Sequence, residues 1–153
     1  MLKTLNQIKK EFQTIADDHR QINNYYFGDF LSAMKRSDDD GQRLYKYLIV
    51  TPSTVTHSRN YTGTTLLITV CDRLLKGYED QDDIHSDSVQ ILNDIYATFF
   101  GTRWQEFVDV DSDGNSTLFI DKSLDGVAGA SMSINIKIYS EDNLCAIPYA
   151  TNW

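Results

Sequence analysis

The sequence predicts one α+β domain spanning residues 1–153, with a mainly antiparallel sheet of about five strands and two principal helices packed on one face of it. Three observations carry this reading. Ala128, Ala130, Met132, Ile134, Ile136 and Ile138 alternate with Gly129, Ser131, Ser133, Asn135 and Lys137, which gives a strand one apolar and one polar face. Leu5, Ile8, Phe12, Ile15 and Ile22, and later Val89, Leu92, Tyr96 and Phe99, recur at helical spacing with polar residues between them. A chain of 153 residues is also the right length for a single core, burying roughly 70% of its unfolded surface.

Taken in order, the first helix is expected over 5–24. Thr4 and Gln7 form a capping box at its start. His19 falls on its apolar seam and is read as a packed residue, because no titratable partner lies at helical spacing on that face. The helix ends in an aromatic cluster, Tyr25, Tyr26, Phe27 and Phe30 around Gly28. So many rings in so short a span cannot all point inward from a helix, so they are read as divided between core and contact surface. Ser37 to Gly41, with three aspartates, reads as a solvated turn.

Tyr45, Tyr47, Leu48, Ile49 and Val50 form a first strand, ended by Thr51-Pro52 because proline lacks the ladder donor. A polar loop or hairpin arm over 56–63, containing Arg59 and Tyr61, leads to a second strand over 65–71. Residues 77–87 are acidic and read as an exposed linker before a helix over 88–100, stopped by Gly101. Three strands, 104–110, 117–121 and 127–139, are expected to close the domain as an antiparallel meander. Residues 143–153 read as a docking tail with Tyr149 and Trp153 among its apolar anchors.

Composition removes several function classes. Hydrophobic residues at 41% and aromatics at 12% are those of a folded domain. No apolar run approaches the ~20 residues of a membrane-spanning helix. The N-terminal residues lack the continuous apolar segment of a secretory signal, so the cell interior is the expected compartment. A net charge of −8 opposes a dedicated nucleic-acid surface, since phosphates are repelled.

Chemistry-bearing motifs are few. Cys71 and Cys145 have no metal-ligand spacing and read as free thiols. His19, His57 and His85 fall on a helix seam, in a loop and in a linker, with nothing to assemble them. No nucleophile elbow, zinc-protease motif, phosphate loop or cofactor motif occurs, so the expectation is a protein without an enzymatic site or cofactor. One segment imitates a calcium loop. Asp109, Asp111, Asp113 and Asn115 fall close to ligand positions around Gly114, but Ile120 stands where a bidentate glutamate belongs and the flanks read as strands. A β-turn is the preferred reading of that segment, with a calcium-binding interaction module as the alternative.

The element order and several short stretches resemble a known family. These are the strand Tyr47-Leu48-Ile49-Val50-Thr51-Pro52, the helix opening Ser86-Asp87-Ser88-Val89, the segment Asp125-Gly126-Val127-Ala128-Gly129-Ala130, and Asn143-Leu144-Cys145-Ala146-Ile147-Pro148. Together they resemble the small neck and tail-completion proteins of tailed phages, particularly crAss-like phages and prophages of Bacteroides-type hosts. The family's tryptophan after the Gly-Ala segment is replaced by Ala130 and Ser131. The resemblance implies a tail-terminator-like fold and a virion subunit assembled in the host cytoplasm. It also implies a homo-oligomeric ring that binds other neck or tail proteins and passes DNA through its lumen. The surfaces expected to make such contacts are the aromatic cluster, the arm with Arg59 and Tyr61, and the tail with Tyr149 and Trp153.

Overall fold

A computed structural model describes residues 4–40, 45–74, 79–100, 108–121 and 126–139. The elements run α1 (Leu5–Asp18), β1 (Asn24–Phe27), α2 (Phe30–Asp40), β2 (Tyr47–His57), β3 (Tyr61–Arg73), α3 (Gln81–Phe100), β4 (Val108–Asp121) and β5 (Val127–Tyr139). The five strands form one sheet in the order β1-β2-β3-β5-β4, antiparallel except for the parallel pair β1–β2. This is the expected α+β class, with a mixed sheet and a third helix.

One face of the sheet carries α1 and α3. Leu48 and Val50 of β2, Leu66, Ile68 and Val70 of β3, and alternate residues of β5 from Ala130 to Ile138 meet Ile8, Phe12 and Ile15 of α1 and Ile91, Leu92, Ile95 and Phe99 of α3. The Phe12 and Phe99 rings lie 5.1 Å apart, tilted by 49°, where the two helices meet. On the opposite face α2 crosses one end of the strands, with Ala33 and Met34 clustered with Tyr47 and Ile49 of β2, Cys71 of β3 and Val127 of β5, and Phe30 reaching Phe119 of β4.

α1 stops six residues short of expectation. Its capping box is formed, with Gln7 N donating to Thr4 Oγ1 and Thr4 N to Gln7 Oε1. The chain then turns at His19, and Asn23 N donates to Lys46 O, so Tyr25 and its neighbours pair with β2 instead of continuing the helix. Aromatic residues are good strand formers, and the ladder offered by β2 outweighs a helical preference that is weak at Asn23-Asn24.

The aspartates read as a turn at 37–41 lie partly in α2, whose start is fixed by Asp29 accepting from Ser32 N at 3.1 Å. Residues 81–87 of the expected acidic linker are likewise helical, forming the first two turns of α3. Asp82 and Asp83 suit the positive end of the helix dipole, and buried Ile84 extends the apolar stripe backwards, with the small Ser88 buried a turn further on.

β2 continues past Pro52, because beyond Val50 it pairs, among the described residues, with β3 alone and a missing donor on the outer edge breaks no ladder bond. The expected meander is also different: β4 is one strand from 108 to 121, and β5 lies between β3 and β4. Asp113-Gly114 makes a bulge instead of a hairpin turn. Register slips between Ser112 and Ser116, and Gly114 takes a φ of +70° that other residues adopt reluctantly. At the centre, β3 and β5 approach so closely at Gly129 that a Cβ there would strike the Val70 carbonyl oxygen and lie 2.8 Å from Cys71 Cα.

Candidate interaction surface

The aromatic cluster divides between core and rim. Tyr25 is 7% exposed and its hydroxyl donates to Lys9 O at 3.0 Å, tying β1 to α1, with burial pushing the phenol's pKa well up. It belongs to the core and offers no docking surface. Phe27 is half-buried against the same core, with Lys9 Nζ 5.8 Å from its ring. Tyr26 and Phe30 pack on the α2 side, where Phe30 meets Phe119 edge to face at 5.8 Å.

The arm behaves differently. β2 and β3 pair as far as His57 and Thr62, and the turn between them is closed by Ser58 N donating to Tyr61 O at 2.9 Å. Every residue from Ser53 to Asn60, Arg59 included, is exposed, and Val55 is 46% exposed. Tyr61 is half-buried at the base of the arm, with Tyr139 of β5 6.2 Å away and Lys137 Nζ 5.5 Å from its ring. The polar face of the sheet continues inward from here, with Leu67 exposed among Thr51, Thr65 and Ser133. At the far edge of the sheet, β4 exposes Leu118 by 51% and Ile120 by 37%. Val55, Leu118, Ile120 and Tyr139 were not singled out from sequence. The legible signal was an apolar residue inside a polar, β-branched run, which marks an exposed strand face as readily as a buried one. Tyr149, Trp153 and the rest of the expected tail lie outside the described residues.

Of the groups that could carry chemistry, His19, His85 and Lys46 have structural partners and Cys71 is buried. His19 Nε2 lies 2.9 Å from Asp94 Oδ2 of α3, while its Nδ1 accepts from Gln21 N at 3.2 Å, so neither ring nitrogen is open to a substrate. The expected packed role of His19 therefore includes a partner that sequence spacing could not reveal, because it comes from another helix. His85 lies on α3 and its Nε2 is 3.1 Å from Phe119 O, whereas His57 is exposed near the end of β2. Cys71 is fully buried and its thiol pKa is pushed up by desolvation and then by Asp72, which leaves it unreactive. Lys46 pairs with Asp87 at 3.1 Å, holding the start of β2 to α3.

The calcium-loop residues Asp109, Asp111, Asp113 and Asn115 lie on β4. Asp109 is paired in register with Lys137, Asp111 with Asn135, and Asn115 is exposed in the bulge. Among the described residues no group of three or more His, Cys, Asp or Glu is placed to hold a metal ion, and no helix is long and apolar enough to cross a membrane. The fold and surfaces thus define an α+β domain with a projecting β-arm. No known protein-family model matches the chain, and no curated protein is significantly similar to it.

Proposed function

We propose that this protein is a structural subunit of a ring in the neck or tail of a tailed phage, a head-tail connector or tail-completion protein, working through its surfaces and not by catalysis. The observation that carries the reading is the arm. Residues 53–60 hold a regular hairpin end while burying none of their own side chains, and an ordered, exposed extension of this kind has its use in contact with another molecule. The resemblance in element order to neck and tail-completion proteins supplies the setting. A net charge of −8 suits a DNA conduit, because an acidic wall keeps phosphates from binding tightly.

The test is electron microscopy of the purified protein, alone and mixed with the neighbouring neck and tail proteins, together with proteomics of purified virions. Closed rings and presence in the particle are expected. Particles that lack the protein would overturn the virion assignment.

A further inference from the structure

The arm leaves one strand edge open. β1 ends at Phe27, opposite Val50, and beyond that point β2 pairs, among the described residues, with β3 alone, as far as His57 opposite Thr62. Gly28 N donates to Val50 O, so Val50, which stands opposite Ile68, turns its polar backbone groups to the outer side. Alternation along the ladder gives the same direction to Pro52 opposite Leu66 and, past the bulge between Pro52 and Thr54, to Val55 opposite Thr64 and His57 opposite Thr62. The N–H and C=O of Val55 therefore face outward in the middle of an exposed strand edge. Its side chain lies on the helix-bearing face, beside Thr64, and is 46% exposed. Edges of this kind are usually blunted by charge, yet residues 47–58 contain no Asp, Glu, Lys or Arg, in a chain of net charge −8. Pro52 and the bulge stand only at the base of the arm.

We propose that the arms of two copies pair edge to edge, antiparallel, about a two-fold axis at Val55, so that two sheets become one continuous sheet. A second copy is the fitting occupant because the segment is complementary to itself. In this register Val55 meets Val55, Thr54 meets Thr56 and Ser53 meets His57. The central pair exchanges both backbone hydrogen bonds and covers two exposed valines, and the Thr54–Thr56 pairs on the other face are favourable cross-strand neighbours. Two copies of an acidic protein repel one another, and this uncharged stretch lets them approach without setting like charges together. A two-fold contact cannot close a ring, which needs unlike patches, so the pairing joins two rings face to face. One pairing is small, and its repetition around two facing rings supplies the strength, so in this respect the inference rests on the ring reading above.

Cysteine cross-linking tests the register. Val55→Cys and Ser58→Cys, each in a Cys145→Ser background, are treated with a bis-maleimide of short spacer, Cys71 being buried. The two copies of residue 55 lie about 5.5 Å apart between Cα atoms in the proposed pair. The two copies of residue 58 are displaced to opposite sides of the axis and lie about 20 Å apart. A covalent dimer is expected at 55, in several-fold higher yield than at 58. Equal yields at the two positions, or no dimer at 55, overturn the pairing. In the otherwise natural chain, Val55→Lys sets two ammonium groups against each other at the axis and is expected to halve the mass of the assembly in native mass spectrometry, with far-UV circular dichroism confirming the fold. An unchanged mass overturns the pairing. Dimers cross-linked at 55 in a protein that forms no rings uphold the pairing and overturn the ring reading, whereas rings whose arms fail to cross-link do the reverse.

Discussion

His19 at the end of α1 and Asp94 in the middle of α3 are joined side chain to side chain at 2.9 Å, although 75 residues separate them. The imidazole is oriented from its other side by Gln21 N, so the pair clamps the two helices that share the main face of the sheet. His19 is 18% and Asp94 48% exposed at the side chain, so the contribution is that of a half-solvated bond. Replacing Asp94 with Ala should lower stability by about 0.5–1 kcal/mol in urea unfolding. A double-mutant cycle with His19→Ala should find most of that loss shared between the two residues.

Phe12 and Leu118 make a sharper contrast. Phe12 is fully buried against Phe99, and truncation to Ala should cost about 3–5 kcal/mol and threaten folding at 37 °C. Leu118 is half-exposed at the sheet edge, and Leu118→Ser should change stability by less than about 0.5 kcal/mol. Chemical denaturation of the two variants checks both expectations.

Gly129 is predicted to be intolerant of any side chain. A Cβ there meets backbone on β3, which cannot move aside without breaking the β3–β5 ladder. Gly129→Ala should cost about 3 kcal/mol or more, or yield no soluble protein. Gly114→Ala is the control. Nothing lies near its Cβ, and only the positive φ opposes the change.

Two aspartates should tilt the pH–stability profile in opposite directions. Asp72 has its pKa raised by burial, with help from Asp80 and Asp87 and against the Arg73 N–H and Lys46. The folded state therefore holds the proton more tightly. Stability falls as pH rises from the ordinary aspartate value, about 3.9, through the raised one, and the deficit persists at neutral pH. Asp72→Asn should raise the melting temperature at pH 7 and flatten that part of the profile. Asp29 has its pKa lowered by its bonds to Ser32, so its stabilisation of α2 is complete above the ordinary aspartate value and is lost as pH falls through the lowered one. Asp29→Ala should lower the melting temperature at pH 7 and have no effect in strong acid.

Calcium should leave the protein unchanged. A calcium loop wraps six or more oxygens around the ion, whereas 108–121 is a strand, bulged at Gly114, that pairs with β5 on both sides of the bulge and sets Asp109 in register with Lys137. Differential scanning fluorimetry at millimolar calcium should show no shift in melting temperature. A rise of several degrees would restore the calcium-module reading.

The layers of the domain were legible where one periodicity ruled. The alternation through Ile134 and Ile138 located β5, and the stripe through Ile8 and Phe12 located the main helix and its cap. Sequence reading failed where tertiary pairing decided. Tyr25 and Tyr26 continue a helical stripe in sequence but are claimed by the edge of β2, a partner more than 20 residues away. Asp82 and Asp83 look like linker residues until Ile84 is seen to be buried below them, because acidic residues suit both a solvated linker and a helix start. Asp113-Gly114 satisfies a hairpin turn and a bulge equally well, and only the register against β5 distinguishes them. Of the candidate surface, the arm was legible from its polar, β-branched composition. The exposure of Leu118 and Ile120 on β4 was not, since alternation shows that a strand has two faces but not which residues an edge leaves uncovered.

The most direct test of the assembly reading is native mass spectrometry of the wild-type protein over a range of concentrations, with and without its neighbouring virion proteins. A single closed oligomer of several copies is the expected result. A monomer under every condition would contradict the account.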